Sequence, residues 1–471
     1  MMRFLKPSFS LIISALGCSL INAAALEVTP GELGNLLTQT TPETQLQLSG
    51  SADIRDLIVL KSLPAGVKGL DLTNLKLQTY DSKKAVYLGK TLIQGNRLPA
   101  YIFFRSAFSN ILLPEGITII EDGAFAGAEI ESVIIPEGVT QIGDYAFYNA
   151  PYLKSVSLPS TLTKVGKGAF ANCPNLTDIN LSSTELKEIP ERCFAGDSRL
   201  ESLDLYNIDA IGTEAFSGTA IAQLILPEVN YFAPYALAGM DMLAELTLNS
   251  NAKFNEGTLM NNRNLVQLSG TPDNVPPLFA ANCVSYSPAE ALTRATTVGD
   301  YAFSNSAVTE LYLGANLTSV GKGIFSGVEN LTSINATALG SNIPAADDDA
   351  FTGIEPSKIR LKVADGKTPE WQNDPVWGQF DVYDDMYSGI ENPDLAQEVS
   401  GIDITLTADS IEITAPENID IAALYDAEGK LINIINNAGN QASLSLASAP
   451  SGVLILSVKA GNHSKNIKLI H

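Results

Sequence analysis

GDYAF at residues 143–147, LKSVSLP at 153–159 and LTKVG at 162–166 form one unit of the pattern that decides the fold of this chain. The apolar residues of the middle segment have the spacing of a short strand entered by a turn. That strand must end at Pro159, because proline has no N–H to donate to a ladder. Gly143 and Asp144 are turn or cap residues. They predict a brief helical or 3₁₀ segment that carries the Ala-Phe pair inward.

This unit recurs along most of the chain, with its phenylalanine or leucine anchors 20–26 residues apart. A fixed period in this range predicts a solenoid, in which each unit buries its apolar edge against its neighbours. We therefore expect the strands to lie side by side in a parallel sheet and the phenylalanines to form a continuous column. The anchors are Phe103, Phe125, Phe147, Phe170, Phe194, Phe216, Leu237, Leu259, Phe279, Phe303, Phe325 and Phe351. The strand pattern recurs in residues 130–135, 200–205, 221–226, 243–248 and 308–313.

Composition excludes several classes of function. The 471 residues include 29 Lys plus Arg and 52 Asp plus Glu, for a formal net charge of −23. A nucleic-acid partner is not expected, because phosphate backbones are bound mainly through Lys and Arg. The only histidines are His463 and His471, so histidine-dependent catalysis and His-containing zinc sites are excluded from the first 462 residues. Hydrolysis by carboxylates alone is left open, and no cofactor is predicted.

The N-terminus has the organisation of a secretory signal peptide. Basic residues come first, an apolar run from Phe9 to Ile21 follows, and small residues end the segment near Ala25. We predict that residues 1–25 are removed and that the mature chain has no transmembrane segment, since the apolar run is too short to span a bilayer. The alternative is lipidation at Cys18, which follows Ala15-Leu16-Gly17.

The remaining cysteines do not form a disulfide pattern. There are three of them, widely spaced: Cys173, Cys193 and Cys283. Disulfide-rich domains usually have an even number of closely spaced cysteines. The three are interpreted as buried single thiols. Cys193 stands in place of alanine beside an anchor, and it should therefore be inside.

A strand that ends in Leu-Pro, followed by Ile-Gly-Asp-x-Ala-Phe, resembles the BspA-like leucine-rich repeats of bacterial surface proteins. The resemblance covers roughly residues 99–388. It implies a β-rich α/β solenoid, a leucine-rich-repeat horseshoe of about twelve units. The copies around Leu259 and Phe279 lack the Gly-Asp turn and a clean strand, so the array should be irregular there.

The flanking segments predict further domains. Residues 26–98 are expected to form an N-terminal cap with atypical first repeats, since the end of a solenoid otherwise exposes its core. The array then runs over residues 99–388 and ends in an aromatic segment that contains Trp371, Trp377 and Tyr387. This segment is interpreted as a cap on the last repeat; a carbohydrate-stacking platform is the alternative. Residues 389–400 read as a linker.

Residues 401–471 change to short alternating strands separated by turns. Seven or so strands in about 70 residues suggest a small antiparallel β-sandwich. Leu424-Tyr425-Asp426, Ser451-Gly452-Val453 and the final residues 465–470 resemble the C-terminal sorting domain of the Por (type IX) secretion system. That resemblance implies export across the outer membrane and surface attachment. The chain departs from the pattern with Leu454 where an aromatic is usual, and with a non-basic end.

No side-chain constellation predicts catalysis, and a surface remains as the candidate site. The carboxylates of Asp347-Asp348-Asp349 are of the ligand type that calcium takes, but the segment occupies the place of the repeat turn and is interpreted as solvated. Residues that alternate with the inward strand positions should line one face of the sheet, which is small, polar and mildly acidic. The predicted face consists of Ser132, Ser155, Ser157, Asp178, Asn180, Ser202, Asp204, Gln223, Glu245, Thr247, Gln267, Glu310, Tyr312, Ser333 and Asn335.

The sequence thus predicts a non-catalytic exported protein of the cell envelope or surface. With the resemblance, its function is adhesion or protein–protein interaction through the sheet face, with a host or envelope protein as partner. The alternative is a glycan-binding accessory protein of a nutrient-capture system that uses the Trp371–Tyr387 segment. The expected location is the cell surface, outer membrane or extracellular space, with the periplasm as the alternative.

Overall fold

The computed structural model describes residues 25–39, 44–385, 402–407, 409–426, 430–447, 449, 453–461 and 463–470. Cys18, nearly all of the predicted signal peptide, the predicted linker, Tyr387 and Ser451-Gly452 lie outside these residues. Two compact units divide the described chain. The first runs to Lys362 and includes Glu370–Asp381, and the second comprises Val363–Pro369 and the residues from Val382 onward. In the described part of the chain, no helix is both long and apolar enough to cross a bilayer.

The first unit begins with three strands joined by two short helices. The elements are β1 (Leu26–Val28), α1 (Leu33–Gln39), β2 (Gln45–Ala52), α2 (Ile54–Leu60) and β3 (Gly69–Leu77). The strands pair in parallel, as helical crossovers require. α2 starts at a capping box between Asp53 and Asp56. The buried Asp56 carboxylate also accepts hydrogen bonds from the N–H groups of Gly31 and Leu33, which tie the two helices together.

The repeats that follow contain short strands and few helices. The strands are β4 (Tyr80–Asp81), β5 (Leu92–Ile93), β6 (Arg97–Leu98), β7 (Asn110–Leu112), β8 (Ile119–Ile120), β9 (Ser132–Ile134), β10 (Gln141–Ile142), β11 (Ser155–Ser157), β12 (Lys164–Val165), β13 (Asp178–Ile179), β14 (Glu188–Ile189), β15 (Ala210–Ile211), β16 (Gln223–Leu226), β17 (Tyr231–Phe232), β18 (Glu245–Leu248), β19 (Gln267–Ser269), β20 (Asn274–Val275), β21 (Thr297–Val298), β22 (Glu310–Tyr312), β23 (Ser319–Val320), β24 (Ser333–Asn335), β25 (Arg360–Lys362) and β26 (Asp381–Tyr383). The helical pieces are α3 (Thr368–Gln372) and the 3₁₀ turns Thr337–Leu339, Pro356–Lys358 and Trp377–Gln379. With the turns of β1–β3, the repeats make a β-solenoid of about fifteen turns, which confirms the predicted fold.

One parallel sheet is formed by the predicted strands, but it is interrupted. Its first stretch has the order β1-β2-β3-β7-β9-β11-β13, its second β16-β18-β19, and its third contains β22-β24-β25. The predicted strand at residues 200–205 does not form. There the carboxylate of Asp204 accepts the N–H of Tyr206, and such a local turn competes with strand pairing. The second interruption lies near Pro288, which has no N–H to donate.

A second set of two-residue strands, which the sequence analysis did not predict, follows the Leu-Pro turns. Their pairings are also parallel and occur in three stretches: β6-β8-β10-β12, β14-β15-β17 and β20-β21-β23. The central pairing joins Gln141 to Ile119 and to Lys164, and Ile142 to Ile120 and to Val165. The inner residue of each strand is buried, so this ladder closes the second side of the core.

The anchor segments form hydrogen-bonded turns instead of the predicted helical pieces. In the units from Phe103 to Phe325 the residue two positions before the anchor has a positive φ, as at Gly123 (59°), Tyr145 (54°) and Gly168 (56°). This conformation points alternate N–H groups at the next unit. The N–H of Phe125 therefore donates to Ala146 O, and that of Phe147 to Ala169 O, both at 2.7 Å. The same pattern repeats in most units from Tyr101 to Tyr301, and it is irregular at Phe216, where Glu214 N–H donates to Tyr235 O.

The buried phenylalanines stack for six units and then give way to other side chains. Phe103 to Phe216 form a series of nearly parallel rings with centroids 5.0–5.9 Å apart. Leu237 and Leu259 follow as buried anchors. The predicted anchor Phe279 is wrong by one residue. Positive φ at Leu278 and the hydrogen bond from the N–H of Ala280 to Ala302 O place Ala280 at the anchor position.

Phe279 consequently occupies the position that alanine holds in other units. Its ring packs edge-on against Phe254 and Phe303. Phe254 in turn stacks on Phe232 at 4.9 Å. These rings occupy core space beside the smaller anchors, so the predicted continuous column of phenylalanines is replaced here by a different packing of similar bulk.

The second unit contains seven antiparallel strands, as predicted for the C-terminal region. They are β27 (Asp403–Leu406), β28 (Ser410–Thr414), β29 (Ile419–Asp426), β30 (Leu431–Asn436), β31 (Gln441–Ser445), β32 (Val453–Ala460) and β33 (His463–Ile470). They form two sheets, β27-β28-β31 and β30-β29-β32-β33. Ile411, Leu424 and Leu456 are fully buried in the core between them. Alternation of apolar and polar residues along each strand produces this two-sheet packing.

Candidate interaction surface

The predicted face residues lie in register across neighbouring strands. In the first stretch of the sheet, Ser155 pairs with Ser132 on one side and with Asp178 on the other. In the second stretch, Glu245 pairs with Gln223 and Gln267. Glu310 pairs with Ser333 in the third. Because a strand alternates its side chains between two faces, these residues form a row, and none of them is buried.

A parallel row lies two residues further along each strand. Of the predicted residues it contains Ser157, Thr247, Tyr312 and Asn335 in strands, and Asn180 directly after β13. The sequence analysis missed the apolar members of this row, Leu112, Ile134 and Ile225, although the same alternation places them there. Ile225 is 61% exposed and pairs with Thr247. The face is therefore less uniformly polar than predicted.

Ser202 and Asp204 are exposed, but they are not part of a strand. The sheet stops at β13 and resumes at β16, so these two side chains lie in the interruption and not in the ladder. The missing strand divides the predicted face. In the patch on β16, β18 and β19 both rows continue across three adjacent strands, as they also do on β22, β24 and β25.

Charges on the face are both acidic and basic. The Gln223 amide donates to the Glu245 carboxylate at 2.7 Å, which fixes two neighbouring side chains of the row. At the end of the third stretch, Arg360 pairs with Ser333 and Lys362 with Asn335. These two basic residues were not predicted to belong to the face, because no Leu-Pro motif marks their strand.

The two tryptophans do not form a carbohydrate platform. Trp371 and Trp377 are 0% and 1% exposed, and their rings pack against each other at 5.6 Å. Trp377 also packs edge-on against Phe351, the last anchor. Each indole N–H donates to a backbone carbonyl, Trp371 to Gly340 O and Trp377 to Pro344 O. Neither indole ring has a face free for a sugar, so the two tryptophans do not support the stacking interpretation.

The cysteines are buried free thiols, as predicted. Burial raises the pKa values of Cys173 and Cys193 well above their usual range, and that of Cys283 to about 12. Nucleophilic cysteines require the opposite, a lowered pKa and access to solvent. The thiols of Cys173 and Cys283 donate instead to the carbonyl groups of Phe147 and Leu259, each the anchor of the preceding unit.

The triple-aspartate segment lies in a repeat turn. The N–H of Gly323 donates to Asp349 O, the N–H of Ala350 donates to Asp347 O, and the Asp349 carboxylate is 3.0 Å from the Lys322 ammonium group. Within the described ranges, no group of three or more His, Cys, Asp or Glu side chains has the arrangement of a metal site.

A family model for the BspA type leucine-rich repeat region matches residues 96–220, 183–275 and 280–365, together more than half of the chain. The search of curated proteins found no match to this chain. Solved structures with similar folds include a leucine-rich repeat protein from Bacteroides ovatus (19% identity, 62% of this chain, 82% of that chain, TM-score 0.43). Another is the pneumococcal vaccine antigen PcpA (18% identity, 65% of this chain, 89% of that chain, TM-score 0.39). A third is a leucine-rich cell surface protein from Faecalibacterium prausnitzii (21% identity, 52% of this chain, 76% of that chain, TM-score 0.31).

The matched ranges contain the repeated turns in which a residue of positive φ precedes a buried anchor. Repeats of this kind present extended surfaces to protein partners and are typically non-catalytic. The chain belongs to the family of BspA-type leucine-rich repeat proteins.

Proposed function

We propose that this protein is an exported, non-catalytic component of the cell envelope or surface that mediates adhesion or another protein–protein contact through the sheet face. The observation that carries the proposal is the pair of aligned rows on β16, β18 and β19. There an exposed isoleucine lies among polar side chains that the backbone holds in register. An apolar centre with a polar surround is the usual organisation of a protein-binding site.

Ile225 is the centre of the proposed contact. At 61% exposure its side chain offers apolar area to a partner. The fixed Gln223–Glu245 pair supplies directional hydrogen-bonding groups beside it. Such rigid polar groups lose little entropy when a partner binds.

Export and surface location are part of the proposal. They are supported by the signal-like N-terminus and by the resemblance of residues 401–471 to the Por sorting domain, whose all-β character matches the second unit. The proposed domain limits are those of the sequence analysis: 1–25, 26–98, 99–388, 389–400 and 401–471. Protease treatment of intact cells tests the location. Loss of the array within minutes supports surface display, and complete protection would place the protein in the periplasm.

Binding of purified full-length protein to immobilised fibronectin, fibrinogen, laminin and mucin tests the role of the face. We expect saturable binding to at least one of them. Ile225→Arg should reduce that binding at least about tenfold, as loss of a central apolar contact does. Val284→Arg is the matched control, because Val284 is 54% exposed and belongs to none of the face strands. Equal binding by the two variants would show that the contact lies elsewhere.

A further inference from the structure

Two pairs of exposed aromatic side chains lie on the anchor turns near the start of the repeat array. The first pair is Tyr101 and Phe104, and the second is Tyr145 and Tyr148; each side chain is 37–44% exposed. The rings meet edge-on in both pairs, with centroids 6.1 and 5.6 Å apart and an angle of 84° between their planes. None of these four residues, here called the aromatic patch, belongs to a strand, so the patch is separate from the sheet face.

The two pairs occupy equivalent positions in turns that are two units apart. Tyr101 and Tyr145 both have a positive φ, of 55° and 54°. In each pair the N–H of the second residue donates to the carbonyl of the first, at 3.2 and 3.1 Å. The buried anchors of the same turns, Phe103 and Phe147, stack on either side of Phe125. Successive turns are one strand spacing apart, so the pairs repeat along the array at roughly 9.6 Å.

The first ring of each pair has a structural role. The turn between the pairs carries small residues, Gly123 and Ala126, at the two equivalent positions. The Tyr101 ring covers Gly123, and in the same way the Tyr145 ring covers Gly168. This packing fills the space that each glycine leaves on the surface of the next turn.

The second ring of each pair is not required by that packing. Tyr235 and Tyr301 also cover a glycine of the following turn. The third residue after them is Ala238 in one case and Ser304 in the other. The repeat therefore folds without an aromatic residue at this position. Adjacent exposed rings that the fold does not require are typical of an interaction surface.

The tyrosines of the patch keep hydrogen-bonding groups available to a ligand. Among the residues that the structure describes, the hydroxyl groups of Tyr101, Tyr145 and Tyr148 have no hydrogen-bond partner. Tyr235, outside the patch, donates its hydroxyl to the Glu256 carboxylate at 2.9 Å. The patch thus combines apolar ring area with donors that can reach the carbonyl groups of a bound chain.

Arg105 adds a positive charge between the two pairs. Its guanidinium lies 5.1 Å from the centre of the Phe104 ring, and its aliphatic stem passes over Gly127 in the intervening turn. Within the described ranges it forms no ion pair with a carboxylate. This side chain is exposed, and it favours an acidic group on a ligand that bridges the two pairs.

We infer that the aromatic patch binds a proline-rich polypeptide segment in the polyproline II conformation, with prolines three residues apart and an acidic residue between them. A polyproline II helix has three residues per turn and repeats about every 9.3 Å, which matches the spacing of the two pairs. Each proline packs against one pair of perpendicular rings, and the acidic side chain faces Arg105. The carbonyl groups of such a helix have no internal partners, so they accept from the tyrosine hydroxyls.

Fluorescence anisotropy of a labelled nonapeptide, Pro-Glu-Ala-Pro-Glu-Ala-Pro-Glu-Ala, with the full chain at physiological salt tests the inference. We expect saturable one-to-one binding. An isomer with prolines four residues apart, Pro-Glu-Ala-Ala-Pro-Glu-Ala-Glu-Pro, should bind at least about fivefold more weakly, because its prolines miss the second pair. The two peptides have the same composition and charge, so the comparison reports the spacing alone.

Variants of the patch locate the binding. Phe104→Ala and Tyr148→Ala should each weaken it at least about tenfold, and Arg105→Gln should remove the preference for this peptide over its Glu-to-Gln form. Tyr206→Ala is the matched control, since Tyr206 is 75% exposed and lies outside the patch. Ile225→Arg should bind the peptide as the wild type does, which separates this test from that of the sheet face. Circular dichroism verifies that each variant is folded.

Three results would overturn the inference. They are the absence of saturable peptide binding, equal affinity for the two isomers, and binding that Phe104→Ala and Tyr148→Ala leave unchanged. Cellohexaose provides the comparison with a glycan, because sugars also stack on aromatic rings. Cellohexaose binding that Tyr148→Ala abolishes, without binding of the peptide, would identify a glycan surface instead.

Discussion

The backbone N–H of Cys173 donates a 2.7 Å hydrogen bond to Oδ1 of Asp197, while Oδ2 of the same carboxyl group is buried without a partner. Asn262 occupies the equivalent position three residues after its anchor. Its Oδ1 accepts the N–H of Met240, and its Nδ2 donates to the carbonyl of the preceding anchor, Leu237. The position thus requires one acceptor and one donor. A carboxyl group meets both requirements only when it is protonated, and burial raises the pKa of Asp197 to about 9.

The first prediction concerns the pH dependence of stability. Asp197 binds a proton in the folded chain up to about pH 9, whereas in the unfolded chain it loses the proton near pH 4. Its contribution is therefore fully present below about pH 4 and is lost as the pH rises towards 9, at up to about 1.4 kcal/mol per pH unit. Asp197→Asn supplies the donor at every pH and should remove this slope. Urea midpoints of both proteins at pH 5, 7 and 9 measure it.

Asp178→Asn is the control for that experiment, since Asp178 is an exposed carboxylate on the sheet face. The difference between its midpoint and that of the wild type should not vary with pH. If the urea midpoints of the wild type and of Asp197→Asn changed with pH in the same way, Asp197 would have to be charged in the folded chain. The proposed equivalence with Asn262 would then be incorrect.

The second prediction tests the aromatic stack. Phe147 is fully buried between Phe125 and Phe170, with centroid distances of 5.0 and 5.3 Å. Phe147→Ala should destabilise the fold by about 3–5 kcal/mol, because it leaves a cavity in a column that cannot close up. Phe147→Leu should cost less, as Leu237 and Leu259 occupy the same position. Tyr148→Ala, at a neighbouring site 39% exposed, should cost under about 1 kcal/mol.

Hydrogen exchange shows where Phe147→Ala acts. Because solenoid units contact only their neighbours, protection should fall first in the units around Phe125 and Phe170. A uniform loss along the whole array would indicate a single cooperative block instead.

The third prediction concerns the alternation of tyrosine and glycine at the positive-φ position. A Cβ atom on Gly168 would lie 2.6 Å from Cε1 of Tyr145 in the preceding unit, and φ at Gly168 is +56°. Gly168→Ala should therefore cost about 2–4 kcal/mol, from overlap and backbone strain together. Gly116→Ala has a φ of +82° but no atom within 4 Å. It should cost only about 1 kcal/mol.

Combining Gly168→Ala with Tyr145→Ala separates the two contributions. Removal of the ring should relieve the overlap, so the double variant should be more stable than the sum of the single changes indicates. Strict additivity of the urea midpoints would show that the tyrosine ring does not restrict this position.

The fourth prediction concerns the end of the array. Trp377→Ala removes a buried ring that contacts Phe351 and a 2.8 Å hydrogen bond to Pro344 O, and it should cost about 3–5 kcal/mol. Increased hydrogen exchange should begin at Phe351 and not at the N-terminal units. Asn373→Ala, on the exposed side of the same segment, is the control. Unchanged protection at Phe351 in Trp377→Ala would show that the indole does not hold the last repeat.

The solenoid was predictable because its signal is redundant. A motif that occurs a dozen times tolerates weak copies, and eleven of the twelve anchors are correct. Phe279 was misplaced because sequence spacing favours the larger side chain, whereas the backbone register is set by the positive φ at Leu278. The predicted strand around Leu203 does not form, and the reason is local: the Asp204 carboxylate accepts the N–H of Tyr206 in a turn.

The sequence predicts which residues alternate onto the face, but it does not predict their three-dimensional arrangement. Glu245 and Gln267 lie where the period of two places them, and Ile225 was overlooked although it follows the same rule. The burial of Trp371 depends on carbonyl groups about thirty residues earlier in the chain. No local pattern reports contacts of that separation.

The hydrogen bonds between successive anchor turns have a mechanical consequence for a chain under tension. Tension along the repeat axis would act on the interfaces between units in series, and each interface resists with the hydrogen bonds that cross it. Near Ser202 and Pro288 the main sheet is interrupted, so the anchor turns and the second ladder of short strands must carry more of the load there. The array should therefore extend in steps. The interfaces at the two interruptions separate first, while the units between them keep their structure.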